Sequence, residues 1–175
     1  MSRRSYSGVR PKFLPRGLSG EGTRRLGVGQ LNRLLRVHSR IALDTSVFIY
    51  QLQANPKYVG LTDEIFVWLQ RAKSQGVTST ITLTELLVQP YRARNQQQAD
   101  EIYGLLSTFP NLAWIAPSLE IADTAARLRA EHGLRTPDAL QAATAISSSA
   151  TALVTNDATF RKLPGVQIIV LDDLL

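Results

Sequence analysis

Four acidic side chains could do chemistry together. Asp44 follows the apolar run Ile41-Ala42-Leu43, Glu85 ends Thr82-Leu83-Thr84-Glu85, Asp138 follows Thr136-Pro137, and Asp157 follows Leu153-Val154-Thr155-Asn156. Each has an ordinary explanation when taken alone. Asp44 can cap the next helix, with Thr45 and Ser46 as rival caps. Thr82 to Glu85 is a complete capping box, and an acid after a Thr cap and a first-position proline suits any helix N-terminus. The joint pattern is less ordinary, because two acids leave strands and two sit in first turns of helices, all on what would be one rim of a sheet. If they converge, each close pair repels by ~4 kcal/mol at ~4 Å and an effective dielectric near 20. Such a cluster needs protons or cations. An all-oxygen donor set in a chain without cysteine suits Mg²⁺ or Mn²⁺.

The elements that must position these acids alternate along the chain from Ile41 onward, the pattern of a parallel sheet with helices on its faces. A first strand and a short helix run to about Leu52, and Asn55-Pro56-Lys57 breaks the chain. Thr62 to Gln75 reads as a helix closed by Gly76, with Ile65, Trp68, Leu69 and Ala72 on one face. Val77 to Ile81 is the second strand. Helices follow from about Leu83 toward Tyr91, interrupted near Pro90, and from Gln96 to Thr108; Leu112 to Ile115 is the third strand. Ser118 caps a helix that Gly133 ends, Thr136-Pro137 opens another to about Ser148, and strands four and five are Ala152 to Thr155 and Val166 to Val170.

The 175 residues, 44% apolar and 19% charged, suit a single globular domain. No apolar run approaches the ~18–20 residues of a membrane span. The formal charge of +6 is segregated: residues 1–40 carry ten Arg or Lys against Glu21, or +9, and residues 41–175 carry ten against thirteen, or −3. Residues 1–38 therefore read as a basic, disordered extension rich in Gly, Ser and Pro, and residues 39–175 as the folded domain. Three accounts of the extension stand open. It resembles an organellar transit peptide, it could hold phosphates, or it precedes a true start at a codon such as that of Val28 or Val37.

Other chemistries find little support. There is no P-loop, no dinucleotide-binding glycine motif and no G-x-S-x-G. His38 at the tail junction and His132 at a helix C-terminus read as structural. Arg92, Arg94, Arg127, Arg129, Arg135, Arg161 and Lys162 could cradle phosphates, although scattered charges of this kind are usually solvated. Trp114 and Tyr91 could stack on bases, although Trp114, which lies in a strand, reads more readily as core.

From about residue 39 to the end, the chain resembles the PIN-domain ribonucleases, most closely the VapC-type toxins of toxin–antitoxin pairs. The resemblance rests on Leu43-Asp44-Thr45-Ser46-Val47-Phe48-Ile49-Tyr50, Thr84-Glu85-Leu86-Leu87, Asp138-Ala139-Leu140-Gln141-Ala142-Ala143-Thr144-Ala145 and Leu153-Val154-Thr155-Asn156-Asp157-Ala158-Thr159-Phe160. It implies a five-stranded parallel sheet of order 3-2-1-4-5 and a metal-dependent endoribonuclease leaving 5′-phosphate and 3′-hydroxyl ends. Asp44 and Asp138 would then bind Mg²⁺ or Mn²⁺ directly, with Glu85 and Asp157 doing so directly or through water. Thr45, Ser46 and Thr155 would orient ligands or water. It further implies a cytoplasmic homodimer with a cognate antitoxin. A non-catalytic nucleic-acid-binding module and a stand-alone RNA-processing nuclease are the rival readings. The basic extension departs from the compact toxins.

Overall fold

The computed structural model describes residues 22–175, with side chains from residue 26 onward. Among them, five short strands form one parallel sheet: β1 (Arg40–Leu43), β2 (Gln75–Ser79), β3 (Leu112–Ile115), β4 (Ala152–Thr155) and β5 (Gln167–Val170). Their order is β3-β2-β1-β4-β5, as the resemblance implies. The helices are α1 (Gly22–Arg36), α2 (Thr45–Leu52), α3 (Val59–Leu69), α4 (Thr80–Arg92), α5 (Gln96–Ser107), α6 (Leu119–His132) and α7 (Thr136–Ser147), with 3-10 turns at Ala158–Lys162 and Leu171–Leu174.

Strand alternation divides the interior into two cores. Ile41 and Leu43 point into one, with Phe48, Ile65, Phe66 and Trp68. Ala42 points into the other, with Ala139, Ala142, Ala143 and Leu153. Small residues line α7 because it lies against the centre of the sheet, and its four buried alanines leave room for that approach. Because the strands are parallel, all their C-terminal ends open on one edge. β1 lies at the centre, between β2 and β4, so the chain leaves it toward both sides of the sheet and opens a crevice there.

Several boundaries differ from those the sequence suggests. The helix expected over Thr62–Gln75 is α3, which starts and ends earlier, because β2 begins at Gln75 with its amide on Ser39 O at 2.8 Å. Gly76 lies inside β2 and does not close a helix. A Cβ there would meet Leu69 Cδ2 at 2.6 Å, so the glycine permits close packing of α3 on the sheet. The helix expected from Leu83 begins at Thr80, capped by Ser79 Oγ on the Ile81 amide, and it runs through the buried Pro90. α6, by contrast, starts at the expected Ser118 cap and ends at Gly133, whose φ of 70° is left-handed.

The extension expected to lack structure up to residue 38 needs correction over its second part, where α1 forms. Val28, Leu31 and Leu35 fall on one face of it and join the larger core, against α3 and the turn Leu171–Leu174. Asn32 Nδ2 donates to Glu64 Oε2 at 2.9 Å. The Gly- and Arg-rich composition hides this stripe, since only three positions in two turns are deeply apolar. Arg3, Arg4, Arg10, Lys12 and Arg16 lie outside the described residues.

α1 sits so close to the C-terminal turn that a Cβ on Gly27 would meet Leu174 O at 1.8 Å. Glycine to alanine inside a helix ordinarily stabilises by about 1 kcal/mol. Gly27→Ala should instead lower the urea midpoint, and a chain begun at Val37 should unfold at lower urea still; an unchanged midpoint in both would show that α1 is not part of the cooperative unit.

Candidate active site

Each of the four acids reaches the C-terminal edge of the sheet by its own route. Asp44 follows β1 directly and occupies the N-cap position of α2, yet its side chain caps nothing. Its Oδ2 accepts instead from Ser46 Oγ at 2.8 Å and from Thr155 Oγ1, across the crevice on β4, at 2.9 Å. Two hydroxyl donors on one oxygen hold a carboxylate that is only 9% exposed. Asp157 lies two residues beyond β4. Here the ordinary explanation does hold, since its Oδ1 accepts the Thr159 amide at 2.8 Å and caps the first 3-10 turn.

Glu85 does not close a capping box. The helix starts two residues before Thr82, so Thr82 turns inward and is buried, and Glu85 Oε2 accepts the hydroxyl proton of Thr45. Asp138 lies in the first turn of α7, whose N-cap is Arg135 and not Thr136. Arg40 Nη1 donates to Ser148 O at the far end of α7, so the helix runs from the crevice toward the start of β1 and presents its N-terminus to the other acids.

Hydrogen bonds place the four acids in one neighbourhood: Thr155, two residues before Asp157, bonds Asp44, Thr45 beside Asp44 bonds Glu85, and Gln141, one turn beyond Asp138, bonds the same Thr45. The Asp138 carboxyl is pushed above the ordinary carboxylate range, first by partial burial and then by the charges of Asp157, Asp44 and Glu85, with Arg135 opposing them. Among the described residues, no donor meets Asp44 Oδ1, Glu85 Oε1, Asp157 Oδ2 or either oxygen of Asp138. Three acids are thus each anchored by one oxygen, with the second available. Among the described residues, no three His, Asp or Glu side chains stand within reach of one ion as placed. The donor set nonetheless fits a hard divalent cation in kind: oxygen-only, anionic, and mutually repelling without a counter-charge.

The remaining sequence candidates fall into place as follows. Thr45, Ser46 and Thr155 all bond acids of the crevice. His38 Nδ1 meets Thr151 Oγ1 at 2.8 Å, and His132 lies 3.8 Å from Glu131, so neither touches the acids. Arg92, Arg94, Arg127, Arg129, Arg135, Arg161 and Lys162 are exposed, and Arg161 pairs with Asp173. Trp114 packs against the larger core with its indole N–H on Leu106 O, and Tyr91 is exposed.

Sequence reasoning missed two supports. Asn156 donates its backbone amide to Ser46 Oγ at 3.2 Å and its side-chain amide to Tyr50 and Tyr58, and it accepts the Asp172 amide at 2.9 Å. Lys57 and Tyr58 in turn bond Asp172, whose carboxyl they hold below the ordinary range. The other is Gln141, a lone buried amide in the apolar run of α7. That isolation was the available signal.

A parallel α/β sheet that carries acids just after β1 and β4 and on α4 and α7, at its switch point, defines a class of acidic-crevice folds. The family model of the PIN domain matches residues 41–166, and the chain belongs to that family. Solved structures share its fold. VapBC-1 from nontypeable Haemophilus influenzae is 23% identical with a TM-score of 0.59, over 76% of this chain and 98% of that one. VapBC2 from Rickettsia felis, bound to a promoter DNA fragment, is 22% identical with a TM-score of 0.58, over 75% and 98%. FitAcB from Neisseria gonorrhoeae is 20% identical with a TM-score of 0.58, over 75% and 97%. No curated protein matches the chain.

The raised Asp138 carboxyl has a consequence for stability. The metal-free native state holds that proton more tightly than the unfolded chain does, so the contribution favours folding at low pH and is lost as pH rises through the raised value. Asp138→Asn removes the repelling charge. In chelator it should raise the melting temperature at pH 7 by more than at pH 4; an equal gain at both pH values would contradict the electrostatic account.

Proposed function

We propose that the protein is a Mg²⁺- or Mn²⁺-dependent endoribonuclease that hydrolyses RNA phosphodiesters, acting as the toxin of a VapBC-type pair. The reading rests on family membership and on one observation above all: hydrogen bonds from Thr45, Thr155 and Gln141 tie together the separate elements that carry the four carboxylates. Asp44 and Asp138 are assigned as direct ligands of the ion, with Glu85 and Asp157 bound directly or through water. The chemistry supplied on binding is Lewis-acid activation of water and phosphate for in-line displacement. Ser46 and Thr155 orient Asp44, because both donate their hydroxyl protons to its Oδ2 and leave Oδ1 toward the crevice. Thr45 does the same for Glu85.

By the resemblance, water attacks phosphorus and the 3′-oxygen leaves, so the products are a 5′-phosphate and a 3′-hydroxyl. The toxin reading adds a cytoplasmic location, homodimerisation, and a cognate antitoxin whose C-terminal segment enters the acidic crevice. The neighbours VapBC-1, VapBC2 and FitAcB lend it support only through their shared fold. Among the described residues, no helix is long and apolar enough to cross a membrane.

The purified full chain should cut RNA in Mg²⁺ or Mn²⁺ and stop in chelator. Asp44→Asn or Asp138→Asn alone should lower the rate by on the order of 100-fold or more, by analogy with outer-shell losses that already reach that size. RNA binding without cleavage in either metal, unaffected by both substitutions together, would identify a non-catalytic module instead.

A further inference from the structure

Gln141 is 4% exposed and lies one turn beyond Asp138, on the same face of α7. It bonds to two other elements. Its Oε1 accepts the Ser79 amide at 3.3 Å, which fixes which end of the side chain is oxygen. Its Nε2 then donates to Thr45 Oγ1 at 3.2 Å and to Thr82 Oγ1.

Counting protons leaves one arrangement. Thr78 gives its only hydroxyl proton to Leu43 O at 2.9 Å, so in the 2.9 Å contact between Thr78 and Thr82 the donor is Thr82. Thr45 lies 3.1 Å from Thr82, but the Thr82 proton is already committed. Thr45 therefore accepts from Gln141 and has one proton to place, and Glu85 Oε2 receives it. Glu85 is exposed and otherwise free to change rotamer, so this bond is what orders it.

We propose that Gln141 is a positioning residue of the crevice: its two amide protons saturate Thr45 and Thr82, direct the Thr45 hydroxyl onto Glu85 Oε2, and leave Glu85 Oε1 available to a divalent ion. The inference rests on the metal-dependent reading above. Gln141 touches neither ion nor RNA in this role and acts only through Thr45. In its absence the Thr45 and Thr82 hydroxyls can bond each other, and Glu85 loses its fixed donor.

The test is Mn²⁺ binding by the full-length protein without RNA, followed by electron paramagnetic resonance and calorimetry. Q141L should weaken Mn²⁺ about tenfold, the scale of an outer-shell loss, and T45V by a similar factor, while T45S, which keeps the hydroxyl, stays near wild type. The double variant Q141L/T45V should bind no more weakly than either single variant, because both remove the same link. Should Q141L fail to fold, Q141M, which keeps the side-chain length, takes its place. Wild-type affinity in the Gln141 variant, or losses that add in the double variant, overturns the positioning role. If D138N still abolishes Mn²⁺ binding in that case, the nuclease reading survives. Wild-type protein that binds no Mn²⁺ overturns the metal reading and this inference with it.

Discussion

Mutual repulsion among carboxylates is the constraint on which the rest of this structure depends. Four anionic groups are drawn into one crevice, and each would swing toward solvent if left free. The fold answers with hydroxyl and amide donors, anchoring Asp44 through Ser46 and Thr155, Glu85 through Thr45, and Asp157 through the Thr159 amide. Asp138 has no such anchor among the described residues, and partial burial together with the charges of Asp157, Asp44 and Glu85 raises its proton affinity.

The anchors work because they are themselves held by other elements. Thr155 is fully buried on β4 and bridges the gap to the loop after β1. On one flank, Gln141 ties α7 to the starts of α2 and α4. On the other, Asn156 ties Ser46 to the stacked pair Tyr50 and Tyr58, whose rings lie 4.1 Å apart, and to the C-terminal turn through Asp172. Polar groups buried in such sets rigidify a site only when every member is satisfied, and both sets meet that condition closely.

The first helix extends this framework beyond the part that matches the family. α1 packs on α3 and on Leu171–Leu174, the turn whose Asp172 accepts from Tyr58 and donates its backbone amide to Asn156. A continuous path of packed residues thus joins the helix to the rear of the crevice. Its apolar face, built on Val28, Leu31 and Leu35, makes it a component of the larger core and not an appendage.

By itself the sequence determined the alternation of strands and helices and the parallel sheet, and it marked four acids at strand exits and helix starts, because apolar period, caps and strand-end acids are local properties that survive in one dimension. It also determined α6 almost to the residue, through Ser118 and Gly133. Only the tertiary structure decided where α4 begins: Thr82 looked like a cap until burial against Thr78 and Gln141 outweighed local hydrogen bonding, and Glu85 changed role with it. Tertiary packing likewise ordered α1, whose few leucines give too weak a period to read alone, and recruited Gln141 and Asn156, since an amide's partners lie on elements distant in the chain. Local patterns fix which elements form; what each polar atom bonds depends on which elements meet.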